Sequence, residues 1–393
     1  MLPLAIHADR ALTPFEEISD AVIVIEGERI VAVGPRGKVA TPRGAQVIAA
    51  EGKTIVPGFV DVHIHGAGGH DVMEGSSEAL KIIAATVAKH GTTSLVATTV
   101  TASEMQTCRS IAEIADFILN EERLPARGLS AEILGIHFEG PFISPARRGV
   151  HPPESIAAPS SPMLMRFLAE ARGTGLILTL APELAGALEL IAVARKAGLL
   201  VSIGHTDANL EQALAAIAAG ARHAAHVFNA MRPFSHRDSG VLGAVLTSPD
   251  LSAELIADGV HVDSTAIRML LGLKSPDRVI LVSDGISATG MPDGKFQLGT
   301  FAVNVSAGVC RNAEGKLAGS TLTLDRALRH IVALGVPLSA ALRMVTTNPA
   351  RQIGMGSRKG VLAVGADADL VFLDANLEVR GVMTRGAGLA MST

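Results

Sequence analysis

Apolar, strand-sized runs recur along residues 55–284, separated by Ala- and Leu-rich stretches of helical period, and no other feature restricts the fold so strongly. The runs are Ile55–Val62, Thr93–Val100, Ile133–Glu139, Leu176–Ala181, Leu200–His205, His223–Phe228, Ser252–Asp258 and Arg278–Asp284. Ser77–His90, Glu104–Asn120, Pro182–Ala197 and Asn209–Ala219 read as helices between them. Parallel strands need a long crossover, so strand–helix alternation predicts a parallel sheet in an α/β fold. Eight repeats favour closure into a (β/α)8 TIM-type barrel over an open sheet.

The two ends have a different texture. Ala21–Gly34 predicts a hairpin turning at Glu26-Gly27-Glu28, followed by a short run from Gln46. Gly360–Asp374 and Leu377–Met383 look like further antiparallel strands. Pairing both ends buries them most simply, so residues 1–56 and 356–393 are expected to form one small β-sandwich, with 57–355 as the barrel. A chain of 393 residues exceeds a typical single core, which suits one large and one smaller unit.

Composition narrows the function classes. A net charge of −4 offers no basic surface for nucleic acid, and no apolar run reaches membrane-spanning length. The N-terminal stretch lacks a signal-peptide pattern, and two unrelated cysteines, Cys108 and Cys310, suit a reducing compartment, so a cytoplasmic location is expected. With no Trp and no Tyr, stacking on sugars or bases is disfavoured.

In a barrel of this kind the active site lies at the C-terminal ends of the strands, and polar residues collect there. The first run ends in His63-Ile-His65, whose side chains, two apart, face the same way. The third ends in His137-Phe-Glu139, the fifth in His205, the sixth contains His226, and the eighth ends in Asp284. One carboxylate among several imidazoles is the donor set of zinc or a similar divalent metal. Glu139, His205 and His226 are assigned as ligands, the alternative being that Glu139 only hydrogen-bonds to a ligand. His63 and His65 are assigned to a second metal site that Glu139 bridges. Asp284 is the candidate general base, unless it merely caps a turn before Gly285; the implied reaction is hydrolysis of an amide. His137 is expected to be a packed core residue. The odd spacing of His223 and His226 along a strand predicts opposite faces, leaving only His226 at the site. His7, His70, His90, His236 and His330 read as surface or loop residues.

Five blocks carry a resemblance: Val56-Pro-Gly-Phe-Val-Asp-Val-His-Ile-His-Gly66, His137-Phe-Glu-Gly-Pro-Phe142, Gly204-His-Thr-Asp-Ala208, His226-Val-Phe-Asn-Ala-Met231 and Val282-Ser-Asp-Gly285. In this order they resemble the amidohydrolase superfamily and, more narrowly, the N-acetylglucosamine-6-phosphate deacetylases, over essentially the whole chain. The resemblance implies a metal-dependent hydrolase that cleaves the acetamide of an amino-sugar phosphate, with one or two divalent ions per subunit: zinc foremost, or iron, manganese, cobalt or cadmium. It implies Glu139, His205 and His226 as ligands and Asp284 as the catalytic acid/base, with His151 polarising the acetyl carbonyl. Asn229, Ala230, His261 and the Ala318-Gly319-Ser320 loop would contact substrate. Arg237, with Arg232 as the competing choice, would reach the phosphate across a homodimer interface. Some relatives carry Gln or Asn where this chain has His65 and hold one metal. A cyclic amidase of the dihydroorotase type is the nearest alternative; an aminohydrolase of bases and a non-catalytic scaffold are more distant.

Overall fold

The computed structural model describes residues 2–121 and 128–391; residues 1 and 392–393 of the expected terminal unit lie outside them. The chain opens with β1 (Leu4–Leu12), β2 (Glu17–Glu26), β3 (Arg29–Pro35) and β4 (Gln46–Pro57). The β2–β3 hairpin turns at Gly27-Glu28, as its β-branched runs predict. Pro57-Gly58 is a boundary, where the sequence suggested a single strand from Ile55 to Val62. β4 belongs to the terminal sheet, and β5 (Phe59–Ile64) begins the barrel. Only glycine fits at 58, because a Cβ there would stand 2.0 Å from Thr93 Oγ1.

After β5 come a two-residue hairpin, β6 (Gly66–Ala67) with β7 (His70–Asp71), then α1 (Ser77–Ala88), β8 (Thr92–Thr99), α2 (Glu104–Glu121) and β9 (Glu132–Glu139). The alternation continues through α3 (Ser161–Ala171), β10 (Gly175–Leu180), α4 (Ala187–Lys196), β11 (Leu200–Ile203), α5 (Leu210–Ala219) and β12 (His223–Ala224). It ends with α6 (Gly240–Thr247), β13 (Ser252–Leu255), α7 (Ser264–Leu273) and β14 (Val279–Leu281). β5 and β8–β14 form one parallel eight-stranded sheet in sequence order, so the expected barrel is present. Its final seam is made at the strand mouths. His63 O accepts the Asp284 N–H at 2.9 Å, and the Asp61 carboxylate accepts N–H groups from His63 and Ser283, each at 3.3 Å.

The helices cover the sheet for ordinary reasons. Ser76 caps α1 by accepting from Ala79 N, and Leu80, Ile83, Ala84 and Val87 bury one face at helical spacing. Each of the larger side chains contributes about 1.5–3 kcal/mol by leaving water. Asn209 and Gln212 form a reciprocal capping box on α5.

Beyond β14 the chain makes a three-stranded antiparallel sheet that the sequence did not suggest: β15 (Gly294–Leu298), β16 (Phe301–Ser306) and β17 (Val309–Arg311). It packs through Leu298, Val303, Val305 and Cys310 on Ile286, Ala288 and Ala318. Helices α8 (Leu324–Ala333), α9 (Leu338–Val345) and α10 (Thr347–Gln352) follow, and β18 (Leu370–Leu373), β19 (Val379–Thr384) and β20 (Ala387–Met391) return to the first sheet. That sheet has seven strands in the order β20-β19-β18-β4-β1-β2-β3, so both ends of the chain build it. Its far edge bends back: Ile30 N bonds to Ala366 O and Ala368 N to Glu28 O, which encloses a core of Ile6, Ile23, Ile30, Ile55 and Phe372. Between sheet and barrel lies a buried charge cluster. Fully buried Lys359 meets Glu132 at 2.6 Å, Asp367 at 2.8 Å and Asp369 at 2.7 Å.

Candidate metal and catalytic site

The strand mouths converge on Glu139, at the end of β9. Its Oε1 lies 3.2 Å from His63 Nε2, 3.2 Å from His205 Nε2 and 3.0 Å from His226 Nε2. Its Oε2 lies 3.4 Å from both His65 Nε2 and His151 Nε2. Asp284 Oδ1 stands 3.3 Å from His65 Nε2 and 3.8 Å from His63 Nε2. All seven side chains proposed as ligand, base or carbonyl donor are therefore brought together, and Glu139 and the five imidazoles are buried.

The backbone is bent to achieve this. His205, His226, Phe228, Ala230 and Asp284 all have positive φ, half of the non-glycine residues with that conformation among those described. Such left-handed residues carry strain and gather where geometry serves a site. They also explain why β12 stops at Ala224 and why the expected opposite facing of His223 and His226 does not occur. With φ of +25° at His226, the chain leaves strand alternation and both imidazoles point into the barrel. His226 reaches Glu139, whereas His223 Nε2 lies 2.7 Å from Glu254 Oε1.

The far nitrogens set the tautomers. His63 Nδ1 donates to Glu254 Oε2 at 2.8 Å, His65 Nδ1 to Thr98 O at 3.1 Å and His205 Nδ1 to Arg147 O at 3.1 Å. In each neutral ring the Nε2 lone pair then faces Glu139. His151 is the reverse: its Nδ1 accepts the Thr101 N–H at 3.3 Å, so a neutral His151 carries its proton on Nε2 and presents a donor. His137 donates from Nδ1 to Val62 O at 3.3 Å and accepts from Thr179 Oγ1 at 2.7 Å, so both nitrogens are used, as expected for a core residue.

A divalent cation fits this donor set. His63 Nε2 is buried and has no hydrogen-bond partner. Separations of 3.0–3.2 Å between donors around Glu139 Oε1 approach the edge of a tetrahedron with bonds of about 2.1 Å, which is about 3.4 Å. Electrostatics agree. Burial works against charge on His63, but Glu254 and Glu139 outweigh it and hold the imidazole well above its usual pKa. Burial likewise opposes ionised Glu139, yet His63 and His205 hold it well below the carboxylate range. Asp284 is also held ionised, against burial, by His65 and His63. Without a cation the neighbouring carboxylates favour a proton on His63, and a cation would replace it.

The cavity above these groups has a volume of about 170 Å3, and Val100, Val150, Leu298 and Leu317 give it an apolar rim. Asn229, Ala230, His261 and Gly319 also line it. Larger hollows of about 710 and 850 Å3 lie elsewhere, and neither is lined by a histidine. His261 is oriented by Asp258, whose Oδ2 lies 2.7 Å from its Nδ1. Ala318 and Ser320 flank the cavity from behind: Ala318 packs in the core of the β15–β17 sheet, and Ser320 N donates to Asp284 O at 2.8 Å. Arg237 is exposed and does not line the cavity. Arg232 is engaged by Asp238 at 2.7 Å and Asp207 at 3.3 Å, which leaves it little charge to offer a phosphate.

Sequence reasoning missed Glu254, Asp61 and Asp258. Glu254 had a readable signal, a lone carboxylate inside the apolar run Leu251–Ile256, where an unpaired charge would be prohibitive.

Comparison with known proteins follows the same line. The amidohydrolase family model matches residues 54–388. An N-acetylglucosamine-6-phosphate deacetylase of Bacillus subtilis (strain 168) is 35% identical over 382 residues, 94% of this chain and 96% of that protein. An N-acetylgalactosamine-6-phosphate deacetylase of Escherichia coli O157:H7 is 35% identical over 382 residues, 97% of this chain and 98% of that protein. A solved structure from Mycobacterium smegmatis, an N-acetyl-D-glucosamine-6-phosphate deacetylase in complex with N-acetyl-D-glucosamine-6-phosphate, superposes with a TM-score of 0.91 at 37% identity, covering 100% of both chains.

Proposed function

The chain belongs to the amidohydrolase family, and from that premise we propose that it hydrolyses the acetamide of N-acetylglucosamine 6-phosphate to glucosamine 6-phosphate and acetate. One observation carries the reading: the likeness to a deacetylase captured with that sugar phosphate spans the full length of both chains.

In this reading Glu139, His205 and His226 would hold a divalent cation, and His63 and His65, with Asp284 beside them and Glu139 shared, would hold a second. Imidazole and carboxylate donors suit zinc best, with iron, manganese, cobalt or cadmium as substitutes. When bound, the metal supplies a Lewis acid for the acetyl carbonyl and acidifies the attacking water. Asp284, ionised at neutral pH, takes the proton of that water on a carboxylate oxygen and returns it to the departing amine. His151 donates its Nε2–H to the carbonyl oxygen as negative charge grows there. The apolar rim limits water around the reacting amide, while Asn229, Ala230, His261 and the Ala318–Ser320 loop hold the sugar. Arg237, exposed in its own subunit, reaches the phosphate in the neighbouring active site of a homodimer, and the enzyme works in the cytoplasm. The residues 1–56 and 356–393 serve as a separate supporting unit for the barrel at 57–355.

Acetate release from N-acetylglucosamine 6-phosphate, its galactosamine epimer and the unphosphorylated sugar tests this reading, beside ring opening of dihydroorotate, with metal content read on each sample. Turnover of a phosphorylated acetamide far above that of the free sugar is expected. The epimer is included because a relative of equal identity is named for it. Turnover of dihydroorotate alone would overturn the assignment. No lysine lines the cavity among the described residues, which speaks against a carbamylated-lysine bridge.

A further inference from the structure

Glu254 is a fully buried carboxylate beneath the site with no part in the chemistry so far. It projects from β13 into the barrel, and three donors meet it. His63 Nδ1 lies 2.8 Å and the His226 N–H 3.0 Å from Oε2, and His223 Nε2 lies 2.7 Å from Oε1. One oxygen thus joins a ligand side chain at the mouth of β5 to the backbone of another beyond β12. The bond from His223 stops the carboxylate from turning. His65 and His205 are backed only by carbonyl oxygens, so His63 alone among the proposed ligands has an anion behind it. An anionic partner fixes the ring's tautomer and makes the metal-facing nitrogen a stronger donor.

We propose that Glu254 is a positioning residue that makes His63 a metal ligand, by holding its proton on Nδ1 and tying its ring to the His226 backbone. The consequence of losing it follows from the distances. A His63 released from Glu254 can carry its proton on Nε2, 3.2 Å from Glu139 Oε1, which spends the lone pair and closes that position to a cation. This inference rests on the reading of His63 as a ligand, and the experiment separates the two.

Metal-stripped wild type, Glu254→Gln, His63→Ala, the double variant and His223→Gln are titrated with zinc against a competing chelator. Cobalt(II) absorption spectra are recorded on the same proteins. Glutamine keeps the shape but has one acceptor oxygen for three donors. Glu254→Gln should weaken the zinc equivalent that His63→Ala weakens by about 10- to 100-fold and alter the cobalt spectrum. The double variant should lose little beyond His63→Ala, since both changes act through one imidazole. His223→Gln, whose amide nitrogen can still donate to Glu254 Oε1, should stay near wild type in zinc affinity. Wild-type zinc constants in Glu254→Gln beside a weakened His63→Ala overturn the inference alone. Unchanged binding in His63→Ala overturns it together with the ligand reading. Should Glu254→Gln not fold, nitrogen-15 spectra of zinc-loaded wild type decide: a His63 proton on Nδ1 supports the assignment and a proton on Nε2 refutes it.

Discussion

Replacing Asp284 by Asn isolates the proton-transfer step. Asparagine has the same volume and tolerates the left-handed conformation that Asp284 adopts at φ +49°. The backbone bonds that place it, Asp284 N to His63 O and Ser320 N to Asp284 O, do not involve the side chain. What disappears is an ionised carboxylate 3.3 Å from His65 Nε2. An amide cannot accept the proton of water or deliver it to the amine. Positioned acid–base groups are worth about 10²- to 10⁴-fold, or about 3–5 kcal/mol of barrier. The cluster of Glu139 with His205 and His226 makes no contact with Asp284 shorter than these, so its zinc should stay. The assay is acetate release at saturating and limiting sugar phosphate, with zinc per chain measured on the same sample. A fall in kcat of two to four decades with KM little changed and zinc retained is expected. A zinc-replete variant within threefold of wild-type kcat would refute Asp284 as the base.

Lys359→Met leaves Glu132, Asp367 and Asp369 buried around an uncharged side chain, with Arg358 and Arg29 covering only part of them; stability should fall by about 3–5 kcal/mol in denaturant unfolding, with activity per folded molecule unchanged. His137 is held neutral by burial and by neighbouring His63, with its pKa pushed down to about 3. Below pH 6.5 the unfolded chain gains a proton there that the folded one refuses, so stability drops by about 1.4 kcal/mol per pH unit from this group as pH falls. His137→Gln should flatten the acid limb of stability by about one proton, read from denaturation midpoints at pH 6 and 4. Arg237→Ala should raise KM for the phosphorylated sugar at least tenfold and leave the slow turnover of the unphosphorylated sugar alone. Arg232→Ala should instead loosen the loop held by Asp207 and Asp238 and lower both; equal effects of the two variants would remove Arg237 from the phosphate site.

The barrel was legible because strands buried on both faces carry apolar stretches, and those of β9 and β10, Ile133–Ile136 and Leu176–Leu178, stand clear of their helices. The site was legible because it sits at strand ends, where a polar residue after such a run has few other reasons to be there. Legibility failed where tertiary geometry overrides local pattern. The periodicity of two put His223 and His226 on opposite faces, but a left-handed turn at His226 brings both inside. Pro57-Gly58 looked like an irregularity within one strand because both sides are apolar, although they serve two different sheets. The β15–β17 sheet has short strands with mixed exposure, a signal too brief to stand out from loops. Glu254 stood out as a lone carboxylate among apolar neighbours, but its three partners come from β5 and from the segment beginning at β12, and no local pattern announces them.

The shared terminal sheet also sets a schedule for biosynthesis. β4 leaves the ribosome early, yet its neighbour on one side is β18, where Leu370 pairs with Pro57 and Leu373 with Thr54. About 300 residues must be translated in between, which takes about 15–60 s at 5–20 residues per second. Throughout that interval the hairpin of β1 to β3 can form against β4, but one flank of β4 presents unpaired backbone groups beside Ile55 and Val56. An open, apolar strand edge is a template for the wrong partner, including a second nascent copy on the same message. The chain is therefore most exposed to misassembly while it is being made, and a chaperone that shields β4 until β18 emerges would raise its yield without altering the finished enzyme.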